Sequence, residues 1–225
     1  MINDFKLGLK IIKYGLNFKV SVIVSVLMLV LGCLMDAAIP ESPINGIYVG
    51  MVGMLIVQLI CAVSVSTMVQ SSSRKRQLQT SVPAIVCGVY MLFGNTISII
   101  SRFVGLQLRF ASPDIEVLDW GLSDIANGIL FNALLMAIIA LYMVGATKAF
   151  WQATVCFIII YLVYFFFSIS TFMEEIPFSM SIEAAVVISY LMIIVASVLI
   201  YMLFLAMYKR DFSKQTFEMQ LNRVK

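Results

Sequence analysis

Six long apolar runs separated by short polar segments set the pattern of this chain. They cover about Val20 to Ile39, Ile47 to Val69, Pro83 to Val104, Gly128 to Thr147, Ala153 to Phe172 and Glu183 to Tyr208. Each is near the ~20 residues that carry a helix across a ~30 Å hydrocarbon core. Inside a bilayer every backbone N–H and C=O has to be satisfied within its own segment, so the runs predict helices and an all-α integral membrane protein. The stretch before the first run is phased differently. Lys6, Lys10, Lys13 and Asn17 recur on one helical stripe, and Phe5, Leu9, Ile12 and Leu16 on a neighbouring one, with Leu7 and Ile11 widening the apolar side. That pattern predicts an amphipathic helix over residues 1–19 lying in the membrane interface, its ammonium groups among lipid phosphates. A six-helix domain over 20–208 and a tail over 209–225 complete the division.

Charge adds an orientation. Lys6, Lys10, Lys13 and Lys19 precede the first run, Arg74, Lys75 and Arg76 follow the second, Lys148 follows the fourth, and Lys209, Arg210, Lys214, Arg223 and Lys225 follow the sixth. The other three connections hold only Arg102 and Arg109 among the cations, against Asp36, Glu41, Asp114, Glu116, Asp119, Asp124, Glu174, Glu175 and Glu183. Basic segments stay in the cytoplasm, so both termini are expected inside and the acidic loops outside. Trp120 is expected to mark the outer interface, and the connection from about 105 to 127 to be the longest loop.

Composition narrows the class. With 62% hydrophobic and 12% charged residues, and a mean hydropathy of +1.02, a soluble globular domain is excluded. The net charge of +3 reports membrane orientation and contact with anionic lipid, and no nucleic-acid partner is expected. The first run is too long for the core of a cleavable signal peptide and lacks a small-residue cleavage site, so it is read as a span. Cys33, Cys61, Cys87 and Cys156 fall inside the runs at irregular spacing and read as small packing residues. The sequence contains no histidine, which removes the commonest metal ligand and acid–base group.

Polar residues within the runs are few. Most, such as Gln58, Ser64, Thr96 and Ser168, read as hydrogen-bonding glue between helices. Asn95 and Asn132 are the candidates for a substrate path, because an amide near mid-depth is harder to satisfy than a hydroxyl. No ionisable residue falls at mid-depth, which argues against a proton- or ion-coupled pump. Asp36, Arg102 and Glu183 lie near outer span ends, where snorkelling to water is expected. Gly145-Ala-Thr-Lys148 is not a phosphate-binding loop. The chain is therefore read as no enzyme and as binding no cofactor of its own. Tyr161, Tyr164, Phe165, Phe166 and Phe167 point around one helix and are expected to pack or to face lipid.

One internal segment carries more. Ser71-Ser-Ser-Arg-Lys-Arg-Gln-Leu-Gln-Thr-Ser-Val-Pro83 joins the second and third runs. Its basic triplet suits the interface, Gln77 to Thr80 can form one helical turn, and Pro83 can open the next span because a first-turn residue needs no N–H donor. This segment resembles the first cytoplasmic loop of permease subunits in type-2 ABC exporters. The likeness extends to the plan of an amphipathic elbow helix, six spans, internal termini and a coupling helix in this loop. The Met173 to Ile182 connection is short beside the larger eukaryotic relatives, leaving little room for an extended extracellular cap.

The resemblance implies coupling to a separate ABC ATPase subunit through Arg74, Lys75, Arg76, Gln77, Leu78, Gln79, Thr80, Ser81 and Pro83. Leu78 is expected as the apolar anchor, and ATP and Mg are expected on the partner. It also implies a dimer with a second permease copy or paralogue, a substrate path at that interface, and a multi-pass position in the cell (inner) membrane. Two other readings stay open on the residues alone: a substrate-capture subunit of a vitamin uptake system, and a non-transporting immunity or sensor protein. The first is weakened by the absence of an alanine pair beside Ser21 and Ser25.

Overall fold

A computed structural model describes residues 2–15, 18–111, 122–172, 180–211, 213–216 and 218. Among them the chain forms ten helices and no strand: α1 Ile2–Ile12, α2 Phe18–Ala38, α3 Gly46–Met51, α4 Met54–Val65, α5 Thr67–Gln70, α6 Lys75–Gln79, α7 Ser81–Ala111, α8 Leu122–Ala146, α9 Phe150–Phe172 and α10 Ile182–Ala206. Six segments are long and apolar enough to cross a membrane, with α3 and α4 together making the second and α6 running into α7 to make the third. The expected all-helical architecture, with six segments of span length, is present among the described residues. Leu16, Asn17 and Trp120, and most of the connection from Met173 to Ile182, lie outside the described residues.

Helix α8 is the centre of the bundle. Its Ala133, Ala137, Ala140 and Val144 face a core shared with Ile56, Leu59 and Ile60 of α4, Cys87 and Met91 of α7, and Ile193, Ala196 and Ile200 of α10. Alanine at successive turns lets neighbouring helices approach closely, which is how helices associate where no hydrophobic force drives them together. The peripheral helices are the reverse. α2 buries only Ser21, Ser25, Gly32 and Asp36, and α9 leaves Trp151, Ile158, Leu162, Phe166 and Phe167 exposed. Of the fifth-run aromatics, Phe165 to Phe167 face out, while Tyr164 turns inward and donates its hydroxyl to the carbonyl of Pro43 at 2.6 Å. Cys61 and Cys87 are buried, but Cys156 sits on the exposed face of α9, so only part of the cysteine set packs as expected.

Two features depart from the sequence reading. The third span does not end near Val104: α7 continues to Ala111. At ~1.5 Å per residue it is about 46 Å long, more than the hydrocarbon core requires. The second span is not one helix. It breaks at Val52-Gly53, where Val52 and Gly53 donate to Val49 and Gly50, three residues back. The Tyr90 hydroxyl of α7 reaches the same two carbonyls at 2.6 and 3.0 Å. A side chain from a neighbouring helix thus supplies what the interrupted ladder gives up.

Ser181 caps α10 by accepting from the backbone N–H of Ala184, with Glu183 in the first turn, where a negative charge suits the helix dipole.

Candidate functional site

The loop singled out by sequence contains a five-residue helix, α6, one residue ahead of α7 at the start of the third span. The helical turn starts two residues earlier than expected, at Lys75. Arg74, Arg76 and Gln77 are exposed, and Lys75 and Gln79 are half-buried. Thr80 is buried, its hydroxyl donating to the carbonyl of Arg76 at 2.7 Å, and Ser81 and Pro83 fall in the first turn of α7. Leu78 does not project outward. It packs against the core formed by α4, α7 and α10, so it fastens α6 to its own bundle.

Helix α1 lies beside α6. Gln77 donates to Asp4 at 2.9 Å. Gly8 sits where a Cβ would press on Val82, Val86 and Leu59, so a glycine is what allows α1 to lie flat on α7 and α4. Phe5 and Ile11 also pack on that core and Ile12 is buried in it, while Lys6, Lys10 and Lys13 are exposed. The expected stripe is therefore only half right. Phe5 and Ile12 turn inward against protein rather than lipid, and Leu9 faces out. The reason is that Gly8, absent from the apolar stripe by hydropathy, is the point of closest approach.

The two amides predicted to line a substrate path each bond to a serine on a neighbouring helix. Asn95 is buried and donates to the Ser189 hydroxyl of α10 at 3.1 Å. Asn132 is buried on α8 and donates to Ser98 of α7. Each spends its N–H on a neighbouring helix.

Ser98 leads to the largest correction. Its hydroxyl donates a hydrogen bond to Asp36, whose carboxylate lies 2.9 Å from Arg102. The two charged side chains are 0% and 1% exposed, so neither snorkels to water. Arg102 also donates to the carbonyls of Pro40 and of Ser42, the latter at 2.8 Å. The guanidinium fork can hold a carboxylate and two carbonyls at once, which a single ammonium cannot. Asn45 bonds back to the carbonyl of Ile39 at 3.2 Å, and Tyr164 of α9 holds Pro43. A chain of hydrogen bonds thus runs from α8 through α7 to α2, and on into the 39–45 loop. Each bond polarises the next. Such a pair fastens elements in a fixed register; it presents no reacting atom to a substrate.

The end of the bundle that carries α1 and α6 is knitted differently. Ser213 donates its backbone N–H to the carbonyl of Thr147 at 2.8 Å. Thr216 bonds to the carbonyl of Ala146 at 2.7 Å, and Lys148 to that of Arg210 at 2.8 Å. The segment after α10 is therefore tied to the α8–α9 turn. Burial lowers the pKa of the Lys148 ammonium; Asp211 opposes that shift and Lys75 adds to it.

Compared with known proteins, the chain matches no family model, no curated protein and no solved structure. Its reading rests on the residues above.

Proposed function

We propose that this chain is the membrane-spanning permease subunit of an ATP-driven ABC exporter, with both termini and α6 in the cytoplasm and α1 as its elbow helix. The observation that carries the reading is α6 itself. It is a short helix joined to α7 through Thr80 alone, with Arg74, Arg76 and Gln77 exposed and Leu78 packed into the bundle. A helix fastened this way passes a push on its exposed side to α4 and α7. The ATP-hydrolysing subunit supplies the push, and ATP and Mg belong to it. The contact is assigned to Arg74, Arg76 and Gln77, with Leu78 and Thr80 holding the helix to its own bundle. A second permease copy or paralogue shares the substrate path.

Two measurements test this. Purified by a tag from its native membrane, the chain is expected to retain a soluble ATP-hydrolysing subunit. Arg74→Glu with Arg76→Glu, both on exposed positions, is expected to cut that retention by about tenfold while insertion and melting temperature stay unchanged. Full retention in the double variant removes α6 as the contact. For orientation, single cysteines at Ser73, in the loop before α6, and at Ser181, before α10, are introduced with the native cysteines replaced by alanine. An impermeant reagent added outside sealed cells is expected to label the second and spare the first. The opposite pattern inverts the chain in the membrane and ends the exporter reading.

A further inference from the structure

The basic end of the bundle holds two adjoining cavities. One, of about 300 Å³, is polar and is lined by Lys75, Lys148, Lys209 and Arg210, with Asp211 as the only acid. The other, of about 540 Å³, is an apolar groove between α8, α9 and α10. Arg210 lines both, so the two form one amphipathic site.

Cations at an inner span end often do no more than orient the helix, and Lys6, Lys10 and Lys13 on the exposed side of α1 fit that description. The four around the cleft do not. They come from three separate segments, α6, the α8–α9 turn and the stretch after α10, and they converge on one cavity. Lys148 is half-buried there and already directed by its bond to the Arg210 carbonyl. Four cations against one acid repel one another unless an anion sits between them. The groove completes the match. Gly145, Ala149, Ala153 and Ala206 keep it wide, and Tyr142 and Phe157, stacked 4.5 Å apart, form one wall.

We propose that this composite site binds one anionic phospholipid, its phosphate headgroup among Lys75, Lys148, Lys209 and Arg210 and an acyl chain along the α8–α9–α10 groove. Basic pockets between spans suit anionic headgroups, and a groove opening to the bilayer supplies the chain without removing it from an apolar setting. The site depends on the chain being in a membrane and not on its coupling to an ATPase, so the two readings fail separately.

The test uses the purified full chain, supplied with equal amounts of phosphatidylglycerol and phosphatidylcholine and examined by native mass spectrometry. Phosphatidylglycerol is expected to be retained about tenfold over phosphatidylcholine, and Lys148→Gln with Arg210→Gln to abolish the preference. Cys156→Trp, which fills the groove from an exposed position, is expected to weaken retention similarly, whereas Lys13→Gln changes nothing. Should the Lys148 substitution impair folding, seen as a lowered melting temperature, Arg210→Gln alone carries the comparison. Equal retention of the two lipids overturns the proposal, and so does an unchanged preference in the cleft variants. Displacement of the lipid by millimolar inorganic phosphate, with Cys156→Trp without effect, also overturns it and assigns the cleft to free phosphate.

Discussion

Arg102→Met is expected to lower stability by about 3–5 kcal/mol, the cost of breaking a buried ion pair from one side. The substitution leaves Asp36 buried without its cation and the carbonyls of Pro40 and Ser42 without their shared donor. In a helical bundle of this size that corresponds to a fall in melting temperature on the order of 10 °C. The damage falls first on α2, because Asp36 is one of only four residues that helix buries. Asp36→Asn should cost less, since the amide keeps an acceptor for Ser98 and the guanidinium keeps its two carbonyls. Arg102→Lys should fall between the two, as one ammonium cannot reproduce the fork. Adding Asp36→Leu to Arg102→Met is expected to recover part of the loss, because the stranded carboxylate is then gone. Melting curves of the four proteins in detergent decide the matter. An Arg102→Met protein that melts with the parent would show that the pair is hydrated, and the hydrogen-bond chain through Ser98 would lose its meaning.

Gly105→Val should be comparably severe for a different reason. A Cβ at Gly105 would be driven into the backbone of Ala37, the residue after Asp36. Backbone cannot step aside as a side chain can, so α2 has to move outward. Overpacking alone costs about 1–3 kcal/mol, and the displacement also draws Asp36 away from Arg102. Combining Gly105→Val with Arg102→Met should therefore cost less than the two separate losses together. Gly88→Ala is the matched control: its Cβ meets only the Ser197 side chain, at 3.2 and 3.4 Å, and a shift of less than about 1 kcal/mol is expected. If Gly105→Val melts as Gly88→Ala does, α2 and α7 are not in backbone contact at this crossing.

The six spans were legible because hydropathy over some twenty residues is a strong signal that neighbouring residues rarely overturn. What hydropathy could not reveal was how polar groups are shared between helices. Asp36 and Arg102 stand near the same expected end of two different spans with opposite charge, and that pairing was available as a signal. A charge at a span end is usually given to water, so it passed unread. Asn95 and Asn132 were singled out for being hard to satisfy, yet Ser189 and Ser98 satisfy their N–H groups from a distance in sequence that no local pattern encodes. The α6 turn was legible from its residues. That Leu78 faces inward was not, because a single leucine in a short helix has no periodicity to assign its side. The end of α7 was misplaced for a related reason: Ser101, Arg102 and Gln107 lower the local hydropathy, but burial of Arg102 lets the helix continue past them.

The interruption at Val52-Gly53 has a mechanical consequence. A continuous helix is stiff along its axis and carries displacement from one end to the other. This span has a tight turn about a third of the way along from Gly46, and Tyr90 clamps the carbonyls on the α3 side of it. The shorter piece, α3, rests on α8 through Gly46 and Gly50, which lie against Asn132 and Ile139. The longer piece, α4, leads through α5 to α6. Under the proposed coupling, a displacement entering from α6 would reach Val52-Gly53 as a change of angle rather than a translation, leaving the 39–45 loop at rest while α4 tilts.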